Sequence, residues 1–299
     1  MPLEEENKAL MFGLSSIEED FEEGALRALD FFAELGSGFF AKGQENDAMR
    51  TIASISEIGK AAARQKMELT TVLALKALES FLAPALGRRM EATTISLLLS
   101  FGSIGKEAAE KQMEMAAKTA ASILGKFGNT AALKELKRET IAVAIGLGEI
   151  GKSVAKLKVP VLDEDGATCI SCLGKTGVLA ARQELEDAVL GAELMLEEIA
   201  LEALEQNLEN PARKISSSLE ELGKVAEDEK MESAVLQAAS ALQTIISEAE
   251  SRYLNNTSIA AKLALEAFYE PDLLDEEASL EKINQIRETM RRLWLEKGV

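Results

Sequence analysis

The tripeptide Ile58-Gly59-Lys60 returns as Ile104-Gly105-Lys106 and again as Ile150-Gly151-Lys152, each time 46 residues further on. Half that distance also recurs. Gly13, Gly36, Gly59, Gly105, Gly128, Gly151 and Gly174 all fall on 13 plus multiples of 23, with Leu82 in the one slot that lacks glycine. Related phrases follow at Leu173-Gly174-Lys175 and Leu222-Gly223-Lys224, 49 residues apart. Two units of 23 plus a three-residue insertion account for that gap, and the insertion is expected near Ala181. Self-similarity at a period of this length is the mark of a repeat architecture.

Within a unit, positions 8, 12, 15, 19 and 22 after the glycine are mostly apolar or small: Met67, Thr71, Ala74, Leu78 and Phe81, or Met113, Ala117, Ala120, Leu124 and Phe127. Spacings of 4, 3, 4 and 3 trace one face of an α-helix. A glycine just past the last apolar residue suggests a left-handed helix stop, and the lysine after it suits the negative end of the helix dipole. Each unit is therefore expected to be one helix of about fifteen residues, roughly 22 Å long, followed by a short turn. A coiled coil is the rival architecture. It fails because 23 is not a multiple of seven and because a glycine in every unit would weaken a continuous helix. Helices that double back pair into 46-residue hairpins, and stacked hairpins share a core that none of them can bury alone. The expected fold is all-α, a right-handed α-α superhelix of about ten 23-residue units. Residues 1–13 form an acidic lead, 14–246 the repeats and 247–299 a C-terminal helical cap.

The Gly-bounded hairpins, with phrases such as Gly146-Leu147-Gly148-Glu149-Ile150-Gly151, resemble HEAT or armadillo-type repeats from Leu14 to Ile246. That resemblance implies a HEAT-like solenoid. It also implies an interaction surface, since the family includes scaffolds, regulatory subunits, transport adaptors and a few nucleic-acid enzymes.

Composition agrees with helix packing. Apolar residues make up 47% of the 299 positions but aromatics only 4%, so Ala, Leu, Ile and Met must fill the core. The acidic start leads into no long apolar run, so no secretory signal is expected and a cytoplasmic location is. The longest uncharged stretch, Ala92 to Gly105, is too short to cross a bilayer as a helix, and no membrane association is expected. The chain has no histidine and two cysteines, Cys169 and Cys172. Imidazole chemistry and a disulfide framework are thereby excluded, and a zinc site would need a second cysteine pair. The repeat frame puts Cys169 in the small-residue column of Ser54, Ser100 and Gly146.

Departures from the repeat are where a binding site would show. Val159-Pro160 followed by Asp163, Asp165 and Gly166 cannot continue a helix, and an exposed loop is expected there. Its acidic residues lack the glutamate that closes a calcium loop. The net charge of −18 is uneven: residues 37–160 carry +6, while the two ends are acidic. Lys60, Lys106 and Lys152 are expected to form a ladder along one edge, beside Arg64, Lys66, Lys111, Lys156 and Lys158. Those lysines either cap helix ends or hold an anionic partner. Met67, Met90, Met113 and Met231 share one column and are expected to be core. Near the C-terminus, Leu280, Ile283, Ile286, Met290 and Leu293 form an amphipathic stripe that caps the last hairpin or docks a partner.

No catalytic or cofactor motif is present, so the expected function is a non-enzymatic scaffold that binds another protein. The ladder and the acidic loop are the candidate contacts. Nucleic-acid binding through the basic residues 60–158 is the alternative, opposed by the acidic ends and the scarcity of aromatics for stacking.

Overall fold

The computed structural model describes residues 2–157, 169–269 and 276–296. Thirteen α-helices are found among these residues: α1 (Pro2–Glu18), α2 (Glu22–Lys42), α3 (Glu45–Arg64), α4 (Glu68–Gly87), α5 (Glu91–Glu110), α6 (Glu114–Leu133), α7 (Lys137–Lys156), α8 (Cys169–Ala181), α9 (Glu186–Glu205), α10 (Glu209–Asp228), α11 (Glu232–Ser251), α12 (Asn255–Glu266) and α13 (Glu276–Glu296). The first twelve stack as antiparallel neighbours in two layers, odd-numbered helices in one and even-numbered in the other. This is an α-solenoid. Most repeat helices are 20 residues long rather than about fifteen, because the turn between them is shorter than the glycine pattern suggested.

The turns correct the reading of the glycines. Among the described residues, left-handed backbone falls on Asp20, Gly43, Lys66, Arg89, Gln112, Glu135, Glu184, Asn207, Lys230 and Tyr253, spaced by 23 residues except for the 49 from Glu135 to Glu184, and only one of them is glycine. Each closes a Schellman motif: the Met67 N–H donates to the Ala62 carbonyl at 2.9 Å and the Lys66 N–H to Ala63 at 3.0 Å, with equivalents at Met113 and Leu208. The apolar residue after the left-handed position folds back onto the helix it ends. Met67, Met90, Met113 and Met231 hold that place and are buried.

The periodic glycines instead lie inside helices, where they allow close approach. A Cβ on Gly105 would sit 2.5 Å from Ile150 Cδ1 and 2.7 Å from Ala120 Cβ; on Gly59 it would sit 2.8 Å from Ile104 Cδ1 and 3.0 Å from Ala74 Cβ. The isoleucine of each Ile-Gly-Lys phrase is thus the knob that fills the glycine hole two helices earlier. Gly102 and Gly146 bring the backbones of α5 and α7 together, a Cβ on Gly102 lying 2.6 Å from the Gly146 Cα.

The same geometry moves the insertion. Gly177, not Gly174, takes the repeat slot, because its Cβ would meet Leu222 and Ala192 at the usual offsets. Cys169 packs against Gly151 as Ala120 packs against Gly105. The three extra residues therefore precede Cys169 and are not near Ala181. Cys169 accordingly belongs to the column of Ala74 and Ala120, and Cys172 to that of Ser54, Ser100 and Gly146.

The helix N-termini are satisfied from the neighbouring repeat. The described N-caps of α2 to α12 make no side-chain capping bond of their own. A glutamate at the first helical position reaches across instead. Glu22 accepts from the Thr70 hydroxyl at 2.9 Å, Glu45 from Thr93 at 2.9 Å, Glu68 from the Met115 N–H at 3.0 Å and Glu186 from the Ser233 N–H at 3.1 Å. A carboxylate beside free N–H groups also suits the positive end of the helix dipole. In α7 the position is Lys137, which pairs with Asp187 of α9.

Adjacent odd-numbered helices in the middle of the array make more extensive contact than adjacent even-numbered ones. The odd-numbered layer is thus the more closely packed of the two through the middle of the array. The register holds from α1 to α12, beyond the 14–246 span expected. Helix α4 has the length and apolar composition to cross a membrane, unlike the stretch picked from sequence. In this fold it is a repeat helix whose Leu75, Leu78 and Phe81 are fully or almost fully buried.

If the glycine holes set the stacking distance, Gly105→Ala lowers stability by about 1–3 kcal/mol through overpacking. Gly38→Ala, at a helical position with nothing within 4 Å of the added Cβ, raises it by about 0.5–1 kcal/mol. Urea unfolding of both variants checks the contrast. Equal effects would contradict the assignment.

Candidate functional site

Helix α13 crosses the odd-numbered layer, packing on α7, α9 and α11 rather than on the last hairpin alone. The reason lies in its stripe: Ser279, Ile283, Ile286, Met290 and Leu293 are buried at spacings of 4, 3, 4 and 3, the periodicity of the repeat helices themselves. Leu280, expected in the stripe, is 52% exposed. The groove meets the stripe with small and aliphatic residues. Gly191 lies beneath Met290, and a Cβ there would rest 3.8 Å from the methionine sulfur. Ile145, Leu194 and Met195 floor a cavity of about 330 Å³ that Met290 and Trp294 roof.

The rim is charged and complementary. Lys282 pairs with Glu186 and lies 4.0 Å from Asp187. Arg287 lies 3.6 Å from Glu197, which also accepts a 2.8 Å bond from Gln237. Acidic α9 thus faces the basic flank of α13. At the far end Lys106 stands 5.8 Å from the Trp294 ring centroid, within cation–π range.

The residues singled out from sequence fall in three places. Lys60, Lys106 and Lys152 occupy equivalent positions on the odd-numbered helices α3, α5 and α7, and Arg64, Lys66, Lys111 and Lys156 lie at or just past the ends of those helices, along one edge. Two ladder members are neutralised. Lys106 bonds Glu149 at 3.0 Å, and Lys152 bonds Glu149 at 2.5 Å and Glu198 at 2.7 Å. Burial alone would raise the Glu149 carboxyl, but hydrogen bonds from Lys152 and Lys106 hold it below its ordinary value. Burial would likewise lower Lys152, and Glu149 with Glu198 outweighs it, leaving the ammonium above its ordinary value. Arg64 is engaged with Glu107 at 2.8 Å. Lys158, Asp163 and Asp165, with the rest of the acidic loop, lie outside the described residues.

The cysteines offer no nucleophile. Cys169 is fully buried and Cys172 packs on Gly125, and burial pushes both thiols up, away from the thiolate. No group of three or more potential metal-ligating side chains occurs among the described residues.

Sequence reasoning missed the acidic wall of α9. Glu186, Asp187 and Glu197 look like ordinary repeat residues, each with a partner inside the array, and only the seating of α13 brings Lys282 and Arg287 to them as well. It also missed Glu193, whose two carboxyl oxygens are buried with no hydrogen-bond partner among the described residues. Its register column carries Ile52, Leu75, Leu98 and Ala144, all fully buried. The column could have exposed it, since a carboxyl there breaks a series that is otherwise apolar or, at Ser216, small.

No protein-family model matches the sequence, and no curated protein does. Among solved structures the chain is similar to one described as "Circular tandem repeat protein with novel repeat topology and enhanced subunit contact surfaces", at 11% identity and a TM-score of 0.38, covering 96% of this chain and 82% of that one.

Desolvation, with Glu186 adding repulsion, holds the Glu193 carboxyl well above its ordinary value. The folded state therefore keeps a proton that the unfolded chain loses, so stability is fully present below the unfolded pKa and falls as pH rises through the folded one. Glu193→Leu removes that loss. Its melting temperature should exceed that of the wild type, by more at pH 8 than at pH 5. A difference independent of pH would show that Glu193 is not buried in its neutral form.

Proposed function

We propose that this chain is a non-enzymatic protein-interaction scaffold whose odd-layer groove, along α7, α9 and α11, receives an amphipathic helix. One observation carries the reading: the groove already holds such a helix, seated by Ile283, Ile286, Met290 and Leu293 and flanked by Lys282 and Arg287 against Glu186, Asp187 and Glu197. Helix-in-groove recognition uses anchors at this spacing for affinity and charged flanks for register. The fitting partner is a helix with an aliphatic stripe and basic residues beside it. Paired helices of equal length in two stacked layers also support a HEAT-like kinship for the array.

Nucleic-acid binding draws less support. Of the basic ladder, Lys106, Lys152 and the adjacent Arg64 are already held by carboxylates, and α9 lines the groove with acid that repels phosphate.

A charge-swap titration tests the scaffold reading. The full chain carrying Ile286→Asp, which unseats α13, is titrated with a labelled synthetic peptide of residues 276–296, followed by fluorescence anisotropy. Saturable binding is expected, lost when the peptide carries Lys282→Glu and Arg287→Glu and recovered when the protein carries Glu186→Lys and Glu197→Lys. Binding that ignores the swaps, or no binding at all, would remove the groove from consideration.

A further inference from the structure

We infer that α13 is an intramolecular competitor for the groove, so that a partner helix binds only when α13 has left its seat. The inference rests on the scaffold reading above and adds its regulation.

Three observations carry it. First, α13 is not part of the stack. The twelve repeat helices keep the repeat register from Asp20 to Tyr253 apart from the three-residue insertion between α7 and α8, and the described ones are locked to their neighbours by knobs in glycine holes or by shared Schellman turns. Helix α13 follows α12 in sequence but rests on α7, α9 and α11, as an added ligand would. Removing it leaves every turn, hole and inter-repeat glutamate bond in place.

Second, its seat is thin compared with the repeats. Helix α7 buries fifteen of its twenty residues. The aliphatic anchors of α13 are Ile283, Ile286, Met290 and Leu293, while Leu280 and Leu295 remain 52% and 61% exposed. The cavity under Met290 and Trp294 leaves the C-terminal half of the helix incompletely packed. Elements with few buried contacts open more readily than the body they rest on.

Third, the polar contacts of α13 are pairs at the rim, with Lys282 and Arg287 each more than a third exposed. Such pairs set orientation and add little attraction, whereas reversing their sign sets like charge against Glu186 and Glu197 and excludes the helix. An incoming helix with the same basic flank can replace them one for one. The competent state is then the released state, and a partner's apparent affinity is reduced by the fraction of chains in which the groove is open.

The labelled peptide of residues 276–296 is the probe, titrated in parallel into the wild-type chain and the Ile286→Asp chain. The wild type should bind it at least roughly tenfold more weakly, the factor expected if the groove is open in about one chain in ten or fewer. Should Ile286→Asp disturb the array, Lys282→Glu with Arg287→Glu in the protein unseats α13 through exposed side chains and serves as the second released form. Equal affinity for wild-type and released chains would overturn the competitor while leaving the groove intact as a binding site. Failure of both released chains to bind would overturn the groove and the competitor together.

Discussion

Everything in this molecule depends on how closely alternate helices approach one another. A glycine in each of α3, α5 and α7 accepts the isoleucine of the helix two places on, and at Gly102 and Gly146 two backbones meet with no side chain between them. Dense packing makes such contacts discrete, since a single methyl group at Gly105 would have to displace Ile150. The odd layer is the more closely packed, and its small and aliphatic side chains on α7 and α9 are where an amphipathic helix finds a complementary floor.

Charge follows from the same frame. The chain's acidic excess includes first-turn glutamates that satisfy the N-termini of the next repeat but one, so they are structural staples as much as solubilising groups. Where Lys137 replaces that glutamate, Asp187 becomes its partner and joins the wall that Lys282 approaches. The basic ladder is answered in kind. Lys106, Glu149, Lys152 and Glu198 alternate across α5, α7 and α9 as one network, which ties these odd-numbered helices together laterally and withdraws those lysines from any anionic partner.

The period, the helical character and the stacked hairpins were legible because repetition multiplies a weak local signal. The place of the glycines was not. A glycine every 23 residues is equally compatible with a helix stop and with a packing hole, and only the partner atoms 15 and 45 residues away distinguish them. The real punctuation was also in the sequence, as the recurring Met-Glu of Met67-Glu68, Met90-Glu91, Met113-Glu114 and Met231-Glu232, but non-glycine residues in left-handed turns give no compositional cue. The stripe of α13 could be read, while its destination could not. A 4-3-4-3 pattern states that a helix buries one face and is silent on which surface receives it; that depends on the floor assembled by contacts between distant repeats.

Amide hydrogen exchange on the intact chain, followed by mass spectrometry, tests the central claim that α13 is a seated but separable ligand of the solenoid. Peptides from residues 276–296 should be protected relative to an unfolded chain yet exchange well before peptides from α7 and α9. Exchange of α13 together with those helices would make it an integral part of the core, and exchange at the unprotected rate would mean the groove is empty; either result contradicts the account.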